Sequence, residues 1–231
     1  EEKYLGWIGQ RAERIPLQQL TGEQDFMGLT FAVNEHVLIP RQDTEILVEE
    51  VLKELHDRMR ILDMCTGSGC ILLSLLHYSN DCEGLGVDLS AEALEVAGRN
   101  VLKVLTQEKS EHAHFLQSDL FEKVEGKFEI IVSNPPYIAS AEIEKLMPEV
   151  RDHEPRMALD GTEDGLHFYR RIIKEAGKHL VNSGMLFFEI GYDQGQAVSE
   201  LMRAQGYREI QVVQDYAGLD RVVLGTYCER N

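Results

Sequence analysis

From about residue 60 onward, short apolar runs alternate with segments of helical period, and this constrains the chain more than any other feature. Runs too short for buried helices, separated by stretches with apolar residues three and four apart, fit strands joined by crossover helices. Such a series builds a largely parallel sheet covered on both faces. Ile61-Leu62-Asp63-Met64 reads as a buried strand ending at the glycine turn Thr66-Gly67-Ser68-Gly69, and Ile71 to Leu76 continues as a helix. Leu85-Gly86-Val87 is a second strand, stopped by Asp88. Ser90 then N-caps a helix with Leu94, Ala97, Val101 and Val104 on one face. Phe115-Leu116 belongs to a third strand, and Phe128 to Ser133 forms a fourth that runs into Asn134-Pro135-Pro136-Tyr137.

Farther on, a helix is expected from about Gly165 to Leu180, with Phe168, Ile172, Ala176 and Leu180 inward, followed by a fifth strand from Met185 to Ile190. Asp193 with Gln196 makes a capping-box-like start to another helix, which Gly206 closes. The runs Ile210–Val213 and Arg221–Leu224 are joined by a loop too short for a parallel crossover, so these strands should be antiparallel. The expected sheet is mostly parallel with one reversed strand near its end.

Before residue 60 the pattern changes. Phe26 to Val33 followed by Val37-Leu38-Ile39 suggests a hairpin turning at Asn34-Glu35-His36, and a helix from about Thr44 to Leu55 leads into the sheet. The stretch Met147 to Gly165, punctuated by Pro148, Pro155 and Gly161, reads as an ordered functional loop.

Length and composition set the outer bounds. The 231 residues allow one full domain with a small appendage, and 43% hydrophobic content supports a substantial core. A net charge of −17 argues against a broad phosphate-tracking surface, so direct nucleic-acid binding is not expected. No apolar run approaches the roughly 20 residues of a membrane span. Glu1-Glu2-Lys3 is not followed by a signal-peptide core. Cys65, Cys70, Cys82 and Cys228 form no CxxC pair, so the expected setting is reducing and cytoplasmic. His112 and His114 lack a nearby cysteine or carboxylate to complete a metal site and are read as a strand edge.

Two motifs carry chemistry. In Asp63-Met64-Cys65-Thr66-Gly67-Ser68-Gly69, glycines at a strand-to-helix turn let the backbone approach a ligand, and Asp88 ends the next strand, where a carboxylate can hold a ribose diol. The pair points to a nucleoside ligand. The dinucleotide fingerprint is not matched, since Cys65 precedes the turn and Ile71-Leu72 follows Gly69, and no Walker lysine is present. S-adenosylmethionine fits better, because its carboxylate needs only one close approach to the turn. Asp63, Asp88 and Asp119 would surround its sulfonium with favourable negative potential.

The second motif is Asn134-Pro135-Pro136-Tyr137. Prolines donate no hydrogen bond and stiffen the loop. The Asn134 side-chain carbonyl and the Pro135 carbonyl can together accept both protons of a planar NH2 group, aiming its nitrogen by orientation rather than by a general base. Tyr137 offers a wall against which a flat amide or base can pack.

Together the two motifs resemble the class I S-adenosylmethionine-dependent methyltransferases that act on amide or exocyclic amine nitrogens. Flanking segments narrow the resemblance. Gly22-Glu23-Gln24-Asp25-Phe26-Met27-Gly28-Leu29 and Leu38-Ile39-Pro40-Arg41-Gln42-Asp43-Thr44-Glu45 resemble the peptide-chain release factor glutamine methyltransferases. So do His153 to Leu159, Asp164 to Arg170, Glu189-Ile190-Gly191 and Asp220 to Gly225. Gln42 and Thr162 depart from that family's usual proline and glycine, and Cys65 replaces the first glycine of the commonest turn.

The resemblance implies a Rossmann-like α/β fold with a mostly parallel seven-stranded sheet, an antiparallel strand near the C-terminus and a small preceding β-hairpin. It implies methylation of the glutamine amide in the Gly-Gly-Gln motif of release factors. A ribosomal-protein glutamine or a nucleic-acid base amine are the alternative substrates. The cofactor residues it implies are Asp63, Cys65, Thr66, Gly67, Ser68, Gly69, Asp88 on the ribose, Asp119 and Leu120 near the adenine, and Asn134. Asn134, Pro135, Pro136 and Tyr137 would bind the substrate, with Asn134, Pro135 and Tyr137 catalytic, and Phe26 or Phe31 would form the opposite wall. No metal is implied. Residues 1–20 are expected to be the tail of a helical recognition domain, 21–58 the hairpin and connecting helix, and 59–231 the catalytic domain.

Overall fold

In a computed structural model describing residues 2–229, a two-stranded antiparallel sheet, β1 (Glu23–Phe26) and β2 (Leu29–Ala32), precedes a seven-stranded one. The larger sheet comprises β3 (Arg60–Met64), β4 (Glu83–Asp88), β5 (Ala113–Gln117), β6 (Phe128–Ser133), β7 (Leu180–Glu189), β8 (Arg208–Gln214) and β9 (Asp220–Thr226). Its order is β5-β4-β3-β6-β7-β9-β8. Strands β3 to β7 pair in parallel, whereas β9 runs antiparallel to both β7 and β8. One strand is therefore reversed, as the short β8–β9 connection requires.

Successive side chains on a strand point to opposite faces, and both faces here are buried. Ile61, Ile130, Val132 and Phe187 pack on one side against the helices Asp43–Glu54, Cys70–Tyr78 and Ala91–Val104. Leu62, Met64, Ile131 and Phe188 pack on the other against His167–Ala176 and Gly195–Ala204. Among the described residues no helix is long and apolar enough to cross a membrane.

Three local expectations are corrected. The hairpin turns at Met27-Gly28, both with positive φ (51° and 70°), and not at Asn34-Glu35-His36. A two-residue turn of this hand matches strand twist. The strained Met27 is held there by Glu45 Oε1 accepting from its amide and the Tyr78 hydroxyl donating to its carbonyl, each at 2.6 Å. Val37 and Ile39 are buried but extend no strand.

The helix expected to reach Leu180 stops at Ala176, and Leu180 instead opens β7. This strand tolerates a break at Ser183 (φ 65°), with a register shift against β6 between Phe128 and Ile130. Asp193 caps nothing: the last long helix begins at Gly195, with Gln194 as its N-cap and no side-chain cap bond. The Gln194 side chain is engaged elsewhere, accepting from the Gly191 amide and donating to the Tyr137 carbonyl, both at 3.0 Å.

Candidate active site

Strand β3 sits where the sheet order reverses, with β4 on one side and β6 on the other. Crossovers leave such a point in opposite directions and open a crevice at the carboxyl ends of the strands. A cavity of about 390 Å³ lies there. Its walls include Cys65 to Ser68 after β3, Asp88 at the end of β4, Ser118 to Leu120 after β5, and Asn134 and Pro136 after β6. Glu189 ends β7 at the same edge of the sheet.

The glycine turn is closed on itself. The Gly67 amide donates to Asp88 Oδ2 at 2.9 Å, the Thr66 amide to the Val87 carbonyl at 3.0 Å, and the Gly69 amide to the Thr66 carbonyl at 2.9 Å. A pyrophosphate needs a run of free amides, and these three are taken. The second Asp88 oxygen accepts from the Ser90 amide at 2.9 Å, so one lone pair on each oxygen remains for hydroxyl donors. Burial pushes the Asp88 carboxyl above its usual range.

Asp63 lies beneath the floor, fully buried. Its Oδ2 accepts the Thr66 hydroxyl at 2.6 Å, while Oδ1 has no hydrogen-bond partner among the described residues. Desolvation pushes its carboxyl up to about 7, against the lowering effect of Thr66. Cys65 and Leu120 both hold positive φ (64° and 49°) at the cavity wall, the kind of backbone strain that gathers at ligand sites. Burial also raises the Cys65 thiol, which makes it a neutral wall rather than a nucleophile. Asp119 pairs with Arg171 at 2.9 Å. Met64, Ile71, Val87 and Phe168 supply an apolar lining suited to a flat base and a thioether.

The Asn-Pro-Pro-Tyr loop is pinned from behind. Asn134 lines the cavity, and its Nδ2 donates to Thr44 Oγ1 at 3.4 Å. Tyr137 does not line the cavity; its hydroxyl donates to Glu189 Oε1 at 3.2 Å, and burial raises its phenol well above the usual value. Pro135 is buried and outside the lining, as are Asp63 and Gly69. Gly69 opens the helix Cys70–Tyr78 with φ 78°, and a Cβ there would come within 3.2 Å of Ala97 and Leu73.

The stretch 147–165 is ordered and lies along this loop: Ile138 donates to the Leu159 carbonyl at 3.0 Å and Gly161 to the Ile138 carbonyl at 2.8 Å. A Cβ on Gly165 (φ 72°) would stand 2.3 Å from the Tyr137 carbonyl oxygen. Phe26 and Phe31 do not face the substrate. They are buried edge to face in the core, 6.1 Å apart, and the chain that follows the hairpin instead gives the cavity His36, Leu38, Pro40, Arg41 and Thr44.

Residues 41–150 match the family profile described as Methyltransferase small domain. The chain is 44% identical over 227 residues to the release factor glutamine methyltransferase of Clostridium acetobutylicum, covering 96% of this chain and 79% of that one. It is 47% identical over 221 residues to the protein of the same name from Moorella thermoacetica, covering 94% and 77%. The chain belongs to the release factor glutamine methyltransferases. A methyltransferase from Pyrococcus furiosus shares the fold at a TM-score of 0.64 and 17% identity, over 96% of this chain and all of that one.

Like its family, this glutamine methyltransferase uses S-adenosylmethionine, and the cavity fits that cofactor on its own terms. The unpartnered, desolvated Asp63 oxygen favours a nearby positive charge, Asp88 keeps acceptors for a diol, and the turn offers no phosphate cradle. Among the described residues no cluster of three histidine, cysteine or carboxylate side chains is placed to hold a metal.

Proposed function

We propose that this chain methylates the side-chain amide nitrogen of the glutamine in the Gly-Gly-Gln motif of peptide-chain release factors, in the cytoplasm. The observation that carries the reading is Asn134: an amide at the carboxyl end of β6, on the wall of the cavity floored by Cys65 to Ser68, with its NH2 engaged by Thr44. With the NH2 engaged, Oδ1 is the end of the Asn134 amide left to accept from a substrate. The identity to the Clostridium and Moorella enzymes, over more than nine-tenths of this chain, supports the substrate assignment.

The bound cofactor supplies an electrophilic methyl group. Cys65, Thr66, Gly67 and Ser68 would hold its amino-acid end, with Asp63 acting from beneath the floor and Gly69 shaping the turn, Asp88 would hold its ribose, and Asp119 with Leu120 its adenine edge. Asn134 Oδ1 and the Pro135 carbonyl would accept the two N–H bonds of the substrate amide, with Pro136 and Tyr137 keeping the loop rigid. An amide nitrogen is a poor nucleophile because its lone pair is delocalised. Two acceptors that hold both protons favour pyramidalisation and fix the approach of nitrogen to methyl. The proton leaves after transfer, so the site needs no general base.

Incubation with labelled S-adenosylmethionine tests this against release factor, its Gln→Ala variant, and RNA or DNA. Label is expected only in the release factor with its glutamine intact. Label in nucleic acid, or equal label in the Gln→Ala protein, would overturn the assignment. Asn134→Ala should lower turnover by about a hundredfold or more while cofactor affinity changes by less than about fivefold, since one charge-orienting contact is lost at the reacting group.

A further inference from the structure

From Asn134 a short line of polar side chains runs to a buried carboxylate. Thr44, in the first turn of Asp43–Glu54, is 2% exposed and accepts from Asn134 Nδ2. Next to it lies Glu189, also 2% exposed, whose carboxyl burial pushes above its usual range, against the lowering effect of the neighbouring Thr44 hydroxyl. Glu189 Oε1 accepts the Tyr137 hydroxyl, and Oε2 has no hydrogen-bond partner among the described residues. Arg221 supplies positive charge, partly offset by Asp43, with which it pairs at 3.2 Å.

A carboxylate only accepts hydrogen bonds. Tyr137 donates to Glu189 Oε1, and the ionised carboxylate, with Oε2 still open, draws the proton of the neighbouring Thr44 hydroxyl the same way. The Thr44 oxygen then presents a lone pair to Asn134, which answers with its NH2 and leaves its carbonyl to the cavity. The two ends of an asparagine amide have nearly the same shape, so partners rather than packing decide which end faces where.

We propose that Glu189 and Thr44 are positioning residues that set the hydrogen-bond polarity of Asn134, so that the site accepts a substrate NH2 and rejects a carboxylate in its place. The proposal rests on the reading of Asn134 as the acceptor for the substrate amide. An amide at position 189 reverses the line: it donates to Thr44, Thr44 donates to the Asn134 carbonyl, and the Asn134 NH2 turns into the cavity. A donor in that position suits a glutamate side chain.

The test uses the full chain with labelled S-adenosylmethionine, release factor, and its Gln→Glu variant as inhibitor. In Glu189→Gln we expect kcat to fall at least about tenfold and inhibition by the Gln→Glu protein to strengthen at least about fivefold, the scale of one misdirected buried hydrogen bond. Binding of S-adenosylhomocysteine, read by calorimetry, should stay within about threefold, because Asn134 rather than the turn is disturbed. Thr44→Val should lose kcat in the same way, and Thr44→Ser, which keeps the hydroxyl, should recover most of it.

Tyr137→Phe separates the alternatives, since a carboxylate that merely props the tyrosine predicts that this variant reproduces the altered inhibition. That result overturns the proposal, as does Thr44→Val with turnover equal to Thr44→Ser, or unchanged inhibition by the Gln→Glu protein in Glu189→Gln. Should Glu189→Gln fail to fold, the Thr44 pair decides. A wild-type chain that labels no release factor removes the substrate reading, and the polarity proposal with it. Label in the wild type with unaffected variants removes the polarity proposal alone.

Discussion

At the residue scale, the aspartate one residue before the end of β3 is built against its own stability. Desolvation holds Asp63 near 7 in the folded chain, whereas an exposed aspartate titrates near 4. Between those values the native state keeps a proton that the unfolded state has released, so stability falls as pH rises through that window. Above it the full cost applies, up to about 4 kcal/mol for about three units. Asp63→Asn removes the charge while still accepting the Thr66 hydroxyl. The variant should melt several degrees higher than the parent at pH 8, lose most of its pH dependence between about 4 and 7, and bind S-adenosylmethionine more weakly. A lower melting temperature at pH 8 with the slope intact would contradict this account. The position of Asp63 was legible because strand ends can be read from a local pattern. Glu189 ends a strand just as plainly, yet its link to Thr44 and Asn134 joins segments distant in sequence, which no local spacing can reveal.

At the scale of elements, the hairpin is fastened to the glycine turn by one side chain. Asn100, fully buried on the helix Ala91–Val104, accepts from the Ala32 amide at 2.7 Å and donates to the Ala32 carbonyl at 3.0 Å and the Ser68 carbonyl at 2.9 Å. The helical period marks position 100 as inward, but a polar residue there is uninformative until its partners are known. The hairpin itself was legible from its apolar flanks. Its turn was not, because Asn34-Glu35-His36 has favourable turn chemistry, while Met27 adopts positive φ only through contacts from Glu45 and Tyr78. Asn100→Ala leaves three backbone groups without partners, at about 1–3 kcal/mol for each that stays buried and unsatisfied. Chemical denaturation should show a loss of at least about 2 kcal/mol, and the weaker floor should raise the KM for the cofactor more than it lowers kcat. A neutral effect on both would mean that the hairpin and the turn are held independently.

At the scale of the whole molecule, the site is a convergence of three stretches on the carboxyl edge of the sheet. The parallel series that carries the turn and Asn134 was legible from periodicity. The segment 38–45 stood out only by resemblance, and its part becomes plain once Leu38, Pro40, Arg41 and Thr44 are seen lining the cavity. The stretch 147–165 adds Pro155, Met157 and Asp160. Glu154 joins the last two stretches: almost fully buried, it accepts from the Ile39 amide at 3.2 Å and pairs with Arg41. Removing it strands a buried amide and a guanidinium, which is worse than removing both partners. Glu154→Ala should destabilise the chain by about 1–3 kcal/mol, and the loss should be local. Hydrogen exchange should accelerate at the Ile39 amide, proteolysis should begin within 147–165, and the helices behind the sheet should keep their protection. Because both stretches line the cavity, cofactor affinity should fall along with that protection. Unchanged exchange at Ile39 would show the two stretches to be anchored separately, whereas uniform loss across the sheet would make Glu154 a support of the entire fold and not of the cavity wall.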